Sequence, residues 1–219
     1  MSIKILRNLN PWWIDRSDIH VRLWEQQQYK WISEWLNKIS LEPFSLNFIL
    51  GPRQVGKTTG VKLLIAKLLK RKPPEAIIYI NCGIFLDFTS LRKVIEKYLE
   101  FKIGKNRNII RFLDEVTSLN EWWKVIKVLI DSDEVLNDAI TVTGSSSLKI
   151  KGDIELFLGR TGKGEVIEVL LLSFKQYIEV HGVRKYKLRY DKVLRLFEKY
   201  LETKGFPSSV KYLKKFLHL

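Results

Sequence analysis

A single cysteine, Cys82, in 219 residues excludes a disulfide framework and any multi-cysteine zinc or iron–sulfur site. The three histidines, His20, His181 and His218, are too far apart to suggest a metal-ligand spacing. No apolar run approaches the ~20 residues that span a bilayer. The longest candidate, Val166–Leu172, is interrupted by Glu168. The opening residues MSIKILRNLNPWW lack both the apolar stretch and the small-residue cleavage site of a secretory leader. No zinc finger, RNP-like sequence or helix-turn-helix is evident. A reduced, cytoplasmic protein is therefore expected. A 46% hydrophobic content is that of a globular chain and excludes wholesale disorder.

Acidic residues are also scarce relative to basic ones. Lys and Arg number 38 against 24 Asp and Glu, a formal charge of +14. From Arg160 to Leu219 there are 14 basic and 6 acidic residues, so +8 of that excess falls in the last 60 positions. Such a balance favours polyanions: nucleic acid, an acidic membrane surface or phosphates, with a docking face for an acidic protein also open. A solvated basic surface is the plain alternative, including for the run Arg184, Lys185, Lys187 and Arg189.

Residues 1–44 hold five of the seven tryptophans: Trp12, Trp13, Trp24, Trp31 and Trp35. Asp18 is placed to cap a short helix, and Glu25–Ile39 reads as a second one. In that second helix Ile32, Trp35, Leu36 and Ile39 share a face. Packing against the main domain and a partner-binding stripe are both open for these aromatics. After Pro43, strand-like and helix-like blocks alternate. Strands are expected at Leu46–Leu50, Ala76–Ile80, Asn108–Leu113, Ala139–Thr143 and Glu165–Leu170. Helices are expected at Lys57–Lys70, Leu91–Phe101 and Trp122–Ile130. The alternation predicts an α/β fold, a mainly parallel sheet with helices on both faces. The unbroken apolar character of the strands fits burial on both sides. From Ser173 the pattern is helical (Phe174–His181, Leu188–Thr203, a Gly205-Phe206-Pro207 break, a last short helix). Three units result: 1–44, a core at 45–172, and a basic helical piece at 173–219.

The most specific motif is Gly51-Pro52-Arg53-Gln54-Val55-Gly56-Lys57-Thr58. It matches G-x-x-x-x-G-K-[ST] at every fixed position, after a predicted strand and before a predicted helix. Gly51 and Gly56 allow a tight backbone turn near an anion. The loop N–H groups and the helix N-terminus offer positive dipole to phosphates. Lys57 brings a point charge and Thr58 a hydroxyl for Mg²⁺. Arg53 is a weaker candidate for phosphate contact.

The strand ending Leu113-Asp114-Glu115 delivers two carboxylates to the edge where such sheets bind ligands. Asp114 is the candidate metal carboxylate and Glu115 the candidate general base for water. Helix capping is the plain alternative for the pair. Arg111, inside this strand, needs a carboxylate partner if buried, or else sits near the strand's start or edge. The strand ending Thr143-Gly144-Ser145-Ser146 presents Ser145 or Ser146 as a sensor of phosphate or water. Gly159-Arg160-Thr161-Gly162 places an arginine on a flexible turn, for phosphoryl charge in cis or in trans. Its in-trans form implies a homo-oligomer. Cys82 reads as a small core residue. A guanine-reading N/T-K-x-D is missing after the P-loop, which excludes a GTPase; Asn37-Lys38 precedes it.

In order, GPRQVGKTT, FLDE, TGSSS, LGRTG and VLLLSFKQYIE resemble the archaeal and bacterial AAA+-type ATPases of the AAA_14 kind. Asn10-Pro11-Trp12-Trp13, Gln28-Tyr29-Lys30 and Gly205-Phe206-Pro207 resemble that family too. The resemblance covers most of 10–210. It implies a P-loop NTPase three-layer sandwich, with the P-loop strand central and another strand between it and the Asp-Glu strand. It also implies ATP and Mg²⁺ at Gly51–Thr59, including Thr59, with Asp114 on the metal, Glu115 as base and a sensor near Ser145. Family members continue into a further C-terminal domain, so a chain ending at Leu219 is expected to lack that extension. The expected function is ATP hydrolysis driving a conformational switch. A nucleotide-dependent binding module with little turnover is the alternative.

Overall fold

The computed structural model describes residues 3–102, 108–131, 136–145, 148–157, 159–183 and 190–207. The basic run at 184–189, the last short helix, Ser146 and Leu158 lie outside the described residues.

Five strands are described: β1 (Ser45–Gly51), β2 (Ile77–Asn81), β3 (Ile110–Asp114), β4 (Ala139–Ser145) and β5 (Val166–Glu168). All pair in parallel, in the order β2-β3-β4-β1-β5. The P-loop strand β1 is therefore internal, and β4 separates it from β3, as the resemblance implied. Every residue of β1 is buried. Its alternate side chains serve two cores: Leu46, Phe48 and Leu50 face one, Ile49 the other. In β2, Ile78 and Ile80 join the first core while Ile77 and Tyr79 join the second. Period-two geometry thus splits each internal strand between two helical layers.

The first layer contains α4 (Phe88–Lys102), α5 (Trp123–Asp131) and α6 (Leu148–Glu155). The second holds α3 (Lys57–Leu68) and the buried Trp12, Trp35, Leu36 and Ile39. In α4 the Asp87 carboxylate accepts a bond from the Ser90 N–H at 2.7 Å, so the helix starts three residues before the expected Leu91. Helices α7 (Phe174–Val180) and α8 (Tyr190–Thr203) form a smaller cluster around Tyr177, Ile178 and Leu196.

The N-terminal segment begins with α1 (Ile3–Leu9) and α2 (Ile19–Glu25), the latter capped by Asp18 as expected. It closes the open edge of β2. Asn10, fully buried, bonds both ways with the Tyr79 backbone: the Tyr79 N–H donates to Asn10 Oδ1 at 2.6 Å, and Asn10 Nδ2 donates to the Tyr79 carbonyl at 2.9 Å. The Trp12 and Trp13 indole N–H groups both donate to the Ile77 carbonyl. Side chains thus satisfy an edge that would otherwise pair with another strand.

The expected helix over Glu25–Ile39 is a correction. α2 stops at Glu25, and only a 3₁₀ turn, Glu34–Lys38, follows. Long-range contacts outweigh helix propensity here. The Trp24 indole donates to the Trp31 carbonyl at 3.2 Å, and Tyr29 packs on His181. Ile32 is exposed, so it does not share the buried face of Trp35, Leu36 and Ile39.

Arg111, the second residue of β3, does lie near the strand's start, but it is buried and the strand is internal. It therefore takes a carboxylate partner: Nε donates to Asp138 Oδ2 at 3.0 Å, and Asp138 Oδ1 accepts the Ile109 N–H at 2.8 Å. Breaking such a pair strands a buried charge. Asp138→Ala is expected to cost about 3–5 kcal/mol in urea unfolding. The double change Arg111→Met, Asp138→Asn should recover most of that loss.

Candidate functional site

Because all five strands run the same way, their C-terminal ends share one edge of the sheet. The P-loop leaves β1, Asp114 and Glu115 leave β3, and Ser145 ends β4, with Gly51 in register with Ser145. A cleft of about 600 Å³ opens there, lined by Lys57, Thr58, Asp114, Glu115, Ser145 and Thr59 among others.

The loop's two glycines have different jobs. Gly56 has φ +89°, and a Cβ there would meet nothing within 4 Å, so its demand is conformational. A Cβ on Gly51 would come within 2.4 Å of the Val169 carbonyl oxygen. Its bareness therefore lets β1 and the Val169 strand end approach. Val55 is fully buried in the α3-side core and anchors the loop; it does not line the cleft. Arg53 and Gln54 do line it, and Gln54 adopts a left-handed φ of 66°. The Lys57 ammonium donates to the Gly51 and Pro52 carbonyls, each at 2.7 Å. Burial pulls its pKa below the usual lysine value, against the opposing pull of the Asp114 and Glu115 carboxylates. Desolvated and facing acid, this cation is primed for an anion.

Asp114 is almost wholly buried and collects three hydroxyls. Thr58 Oγ1 donates to Oδ2 at 2.8 Å, Tyr79 OH donates to Oδ2 at 2.7 Å, and Thr143 Oγ1 donates to Oδ1. Glu115 follows in a left-handed conformation, φ 58°, its N–H donating to Thr143 Oγ1 at 3.1 Å. The kink carries Glu115 out of the strand's line and into the cleft wall. Ser145 donates its N–H to Thr117 Oγ1 at 3.3 Å and also lines the cleft.

Arg160 is elsewhere. It pairs with Asp131 at 3.2 Å, and its neighbour Thr161 accepts from the Leu46 N–H at 2.9 Å, beside the start of β1. β1 runs the other way for seven residues, roughly 20 Å, before reaching the P-loop. Arg160 therefore cannot serve the cleft of its own chain, and the cis role is corrected. Cys82 is fully buried, and burial with the nearby carboxylates pushes its thiol pKa up, leaving it inert.

Several lining groups were not anticipated. Thr143 opens the Thr143-Gly144-Ser145 strand end but has no role of its own in that motif, and Tyr79, which reaches Asp114 from the edge strand β2, belongs to no motif. Trp24, Tyr29 and Trp31 form an aromatic part of the cleft wall, and Leu172 and, from the C-terminal piece, Pro207 line the same cleft. The density of tryptophan before residue 44 was the available signal for that wall.

Residues 44–178, more than half the chain, match AAA_14, an AAA domain. The chain belongs to the AAA_14 family. It thereby carries a P-loop nucleotide-binding domain of ATPase type. An uncharacterised protein of Haemophilus influenzae is 28% identical over 138 residues, which cover 62% of this chain and 32% of that protein. The AAA_14 chain thus spans about a third of that relative's length. Among solved structures, Aeropyrum pernix ORC2 in its ADP form aligns with a TM-score of 0.50 at 12% identity, covering 80% of this chain and 57% of that one. Aeropyrum pernix ORC1, solved in complex with DNA, aligns at 0.49 and 15% identity over 68% of this chain and 44% of that one. At these identities the likeness to ORC2 is one of fold. Among the described residues no helix is long and apolar enough to cross a membrane.

Lys57→Ala removes the cation from an otherwise intact loop. Nucleotide binding, followed by calorimetry, is expected to vanish while the melting temperature changes little. Unchanged affinity would refute the cradle.

Proposed function

We propose that this AAA_14 protein binds ATP with Mg²⁺ and hydrolyses it, using the cycle to drive a conformational switch. One observation carries this reading: Lys57 and Thr58 at the start of α3 and Asp114 and Glu115 at the end of β3 meet at one cleft. The P-loop amides and Lys57 would hold the phosphates. Thr58 and Asp114 supply hard oxygen ligands suited to Mg²⁺. Mg²⁺ when bound would neutralise charge on the phosphate oxygens. Glu115, displaced from the strand by its left-handed backbone, would accept the proton of the attacking water. Ser145 would read the terminal phosphate from the end of β4. The aromatic wall of Trp24, Tyr29 and Trp31 offers apolar faces for a base.

The same cleft supports a switch. Residues 45–172 would form the motor, and Pro207 would bring the C-terminal helical piece close to the bound nucleotide. Arg160, exposed and remote from its own cleft, is assigned to a neighbouring subunit's site, which requires a homo-oligomer. A second reading draws on the +14 charge: nucleotide occupancy gating a grip on nucleic acid or an acidic protein, with little turnover.

Glu115→Gln should lower ATP turnover about 100- to 10,000-fold while leaving ATP affinity near wild type, measured by phosphate release and calorimetry. If the wild type binds ATP yet never exceeds the variant, with or without DNA or RNA, the hydrolytic claim fails and the binding-module reading stands. For Arg160→Ala, turnover per subunit is expected to fall while nucleotide affinity holds. Wild-type turnover should rise with protein concentration as subunits assemble. Concentration-independent turnover unaffected by the substitution would remove the trans assignment.

A further inference from the structure

Tyr79 stands between two structures that no motif connects. On one side its phenol donates to Asp114 Oδ2 at 2.7 Å, sharing that oxygen with Thr58. On the other, the N-terminal segment grips it twice. Asn10 bonds to both its backbone N–H and its carbonyl. Lys62, on α3, sets its ammonium 3.3 Å from the Tyr79 ring centroid and 5.0 Å from that of Trp12. That ammonium is itself held by Asp18 at 3.0 Å and by the Leu9 carbonyl at 3.2 Å. Lys62 and Asn10 are both buried, so these bonds are weakly screened. Burial, chiefly, and the Asp114 carboxylate keep the phenol protonated far above neutrality, so it acts only as a donor toward Asp114.

From this chain of contacts we infer that Tyr79 is a positioning residue for the metal carboxylate, and that the N-terminal segment sets its position through Asn10 and Lys62. The inference rests on the nucleotide-and-Mg²⁺ reading above. The Thr58 hydroxyl is the only one of Asp114's three donors that is also assigned to the metal. Tyr79 and Thr143 are then the groups that fix the carboxylate's plane. Hydrogen-bonded partners behind a metal ligand commonly tune affinity by about 10- to 100-fold. Release of residues 9–18 from β2 would free Tyr79 and so loosen the metal site without touching the P-loop. The aromatic N-terminal segment thereby becomes a control on metal occupancy as well as an edge cover.

Tyr79→Phe keeps the ring, the Lys62 contact and the Asn10 bonds, and removes only the hydroxyl. The probe is Mn²⁺ with a non-hydrolysable ATP analogue, Mn²⁺ binding being read by electron paramagnetic resonance. Analogue affinity without metal is measured by calorimetry. The expected result is Mn²⁺ affinity reduced about tenfold, with metal-free analogue affinity within about twofold of wild type and a melting temperature lower by several degrees but still a cooperative transition. Lys62→Met should weaken Mn²⁺ binding in the Tyr79 background and do so much less in the Tyr79→Phe background. Should Tyr79→Phe not fold, Asp18→Asn tests the same link from the segment's side, with the same direction expected. Wild-type Mn²⁺ affinity in Tyr79→Phe, or strict additivity with Lys62→Met, overturns this inference alone. Absence of analogue binding by the wild type would instead bring down the nucleotide reading.

Discussion

The Asp114 carboxylate is the point on which the rest of the site depends. It is almost wholly buried at the tip of β3, where an unpaired anion would be costly. Three hydroxyls, from α3, β2 and β4, offset that cost. Hydrogen bonds to a charged group contribute about 1.5–3 kcal/mol each. Holding the carboxylate therefore also holds the P-loop helix and two strand ends in one arrangement. The same threonine that bonds Asp114, Thr143, also receives the Glu115 N–H, so the proposed metal ligand and the proposed base are fixed through one side chain.

The cleft gathers charges of both signs inside a strongly basic chain. The Asp114 and Glu115 carboxylates share it with the Lys57 ammonium and the Arg53 guanidinium. A triphosphate would bring negative charge to Lys57 and the loop amides, and a divalent cation would offset the acid of β3. Each would meet groups of opposite sign, which is the electrostatic reason for proposing the two together.

The loop, its helix and the acidic strand end were legible from residue order because each depends on local backbone and chain direction. Gly56, Lys57 and Thr58 can be placed from a strand-turn-helix pattern alone. Asp114 follows from the apolar run before it. The sheet order, with β4 between β1 and β3, came from family resemblance and not from the pattern. Tyr79 and Thr143 were illegible because their roles arise only when three strand ends come side by side. The N-terminal segment was half legible. Its tryptophans pointed to packing, but the helix expected over Glu25–Ile39 gives way to contacts of Trp24 with Trp31, and of Tyr29 with His181, remote in sequence. Arg160 was placed by its glycine-flanked turn, and the turn is there. Its position at the far end of β1 depends on how β1 meets Thr161 and Gly162, which spacing does not reveal.

The most direct test of the central claim is to follow the backbone amide resonances of Gly51–Thr59 by NMR as ATP is added with Mg²⁺. The account predicts large, saturable shifts concentrated at Gly56, Lys57 and Thr58, with smaller ones at Asp114 and Glu115. Saturable shifts elsewhere on the surface with these amides unmoved, or no shifts at millimolar ATP, would contradict it.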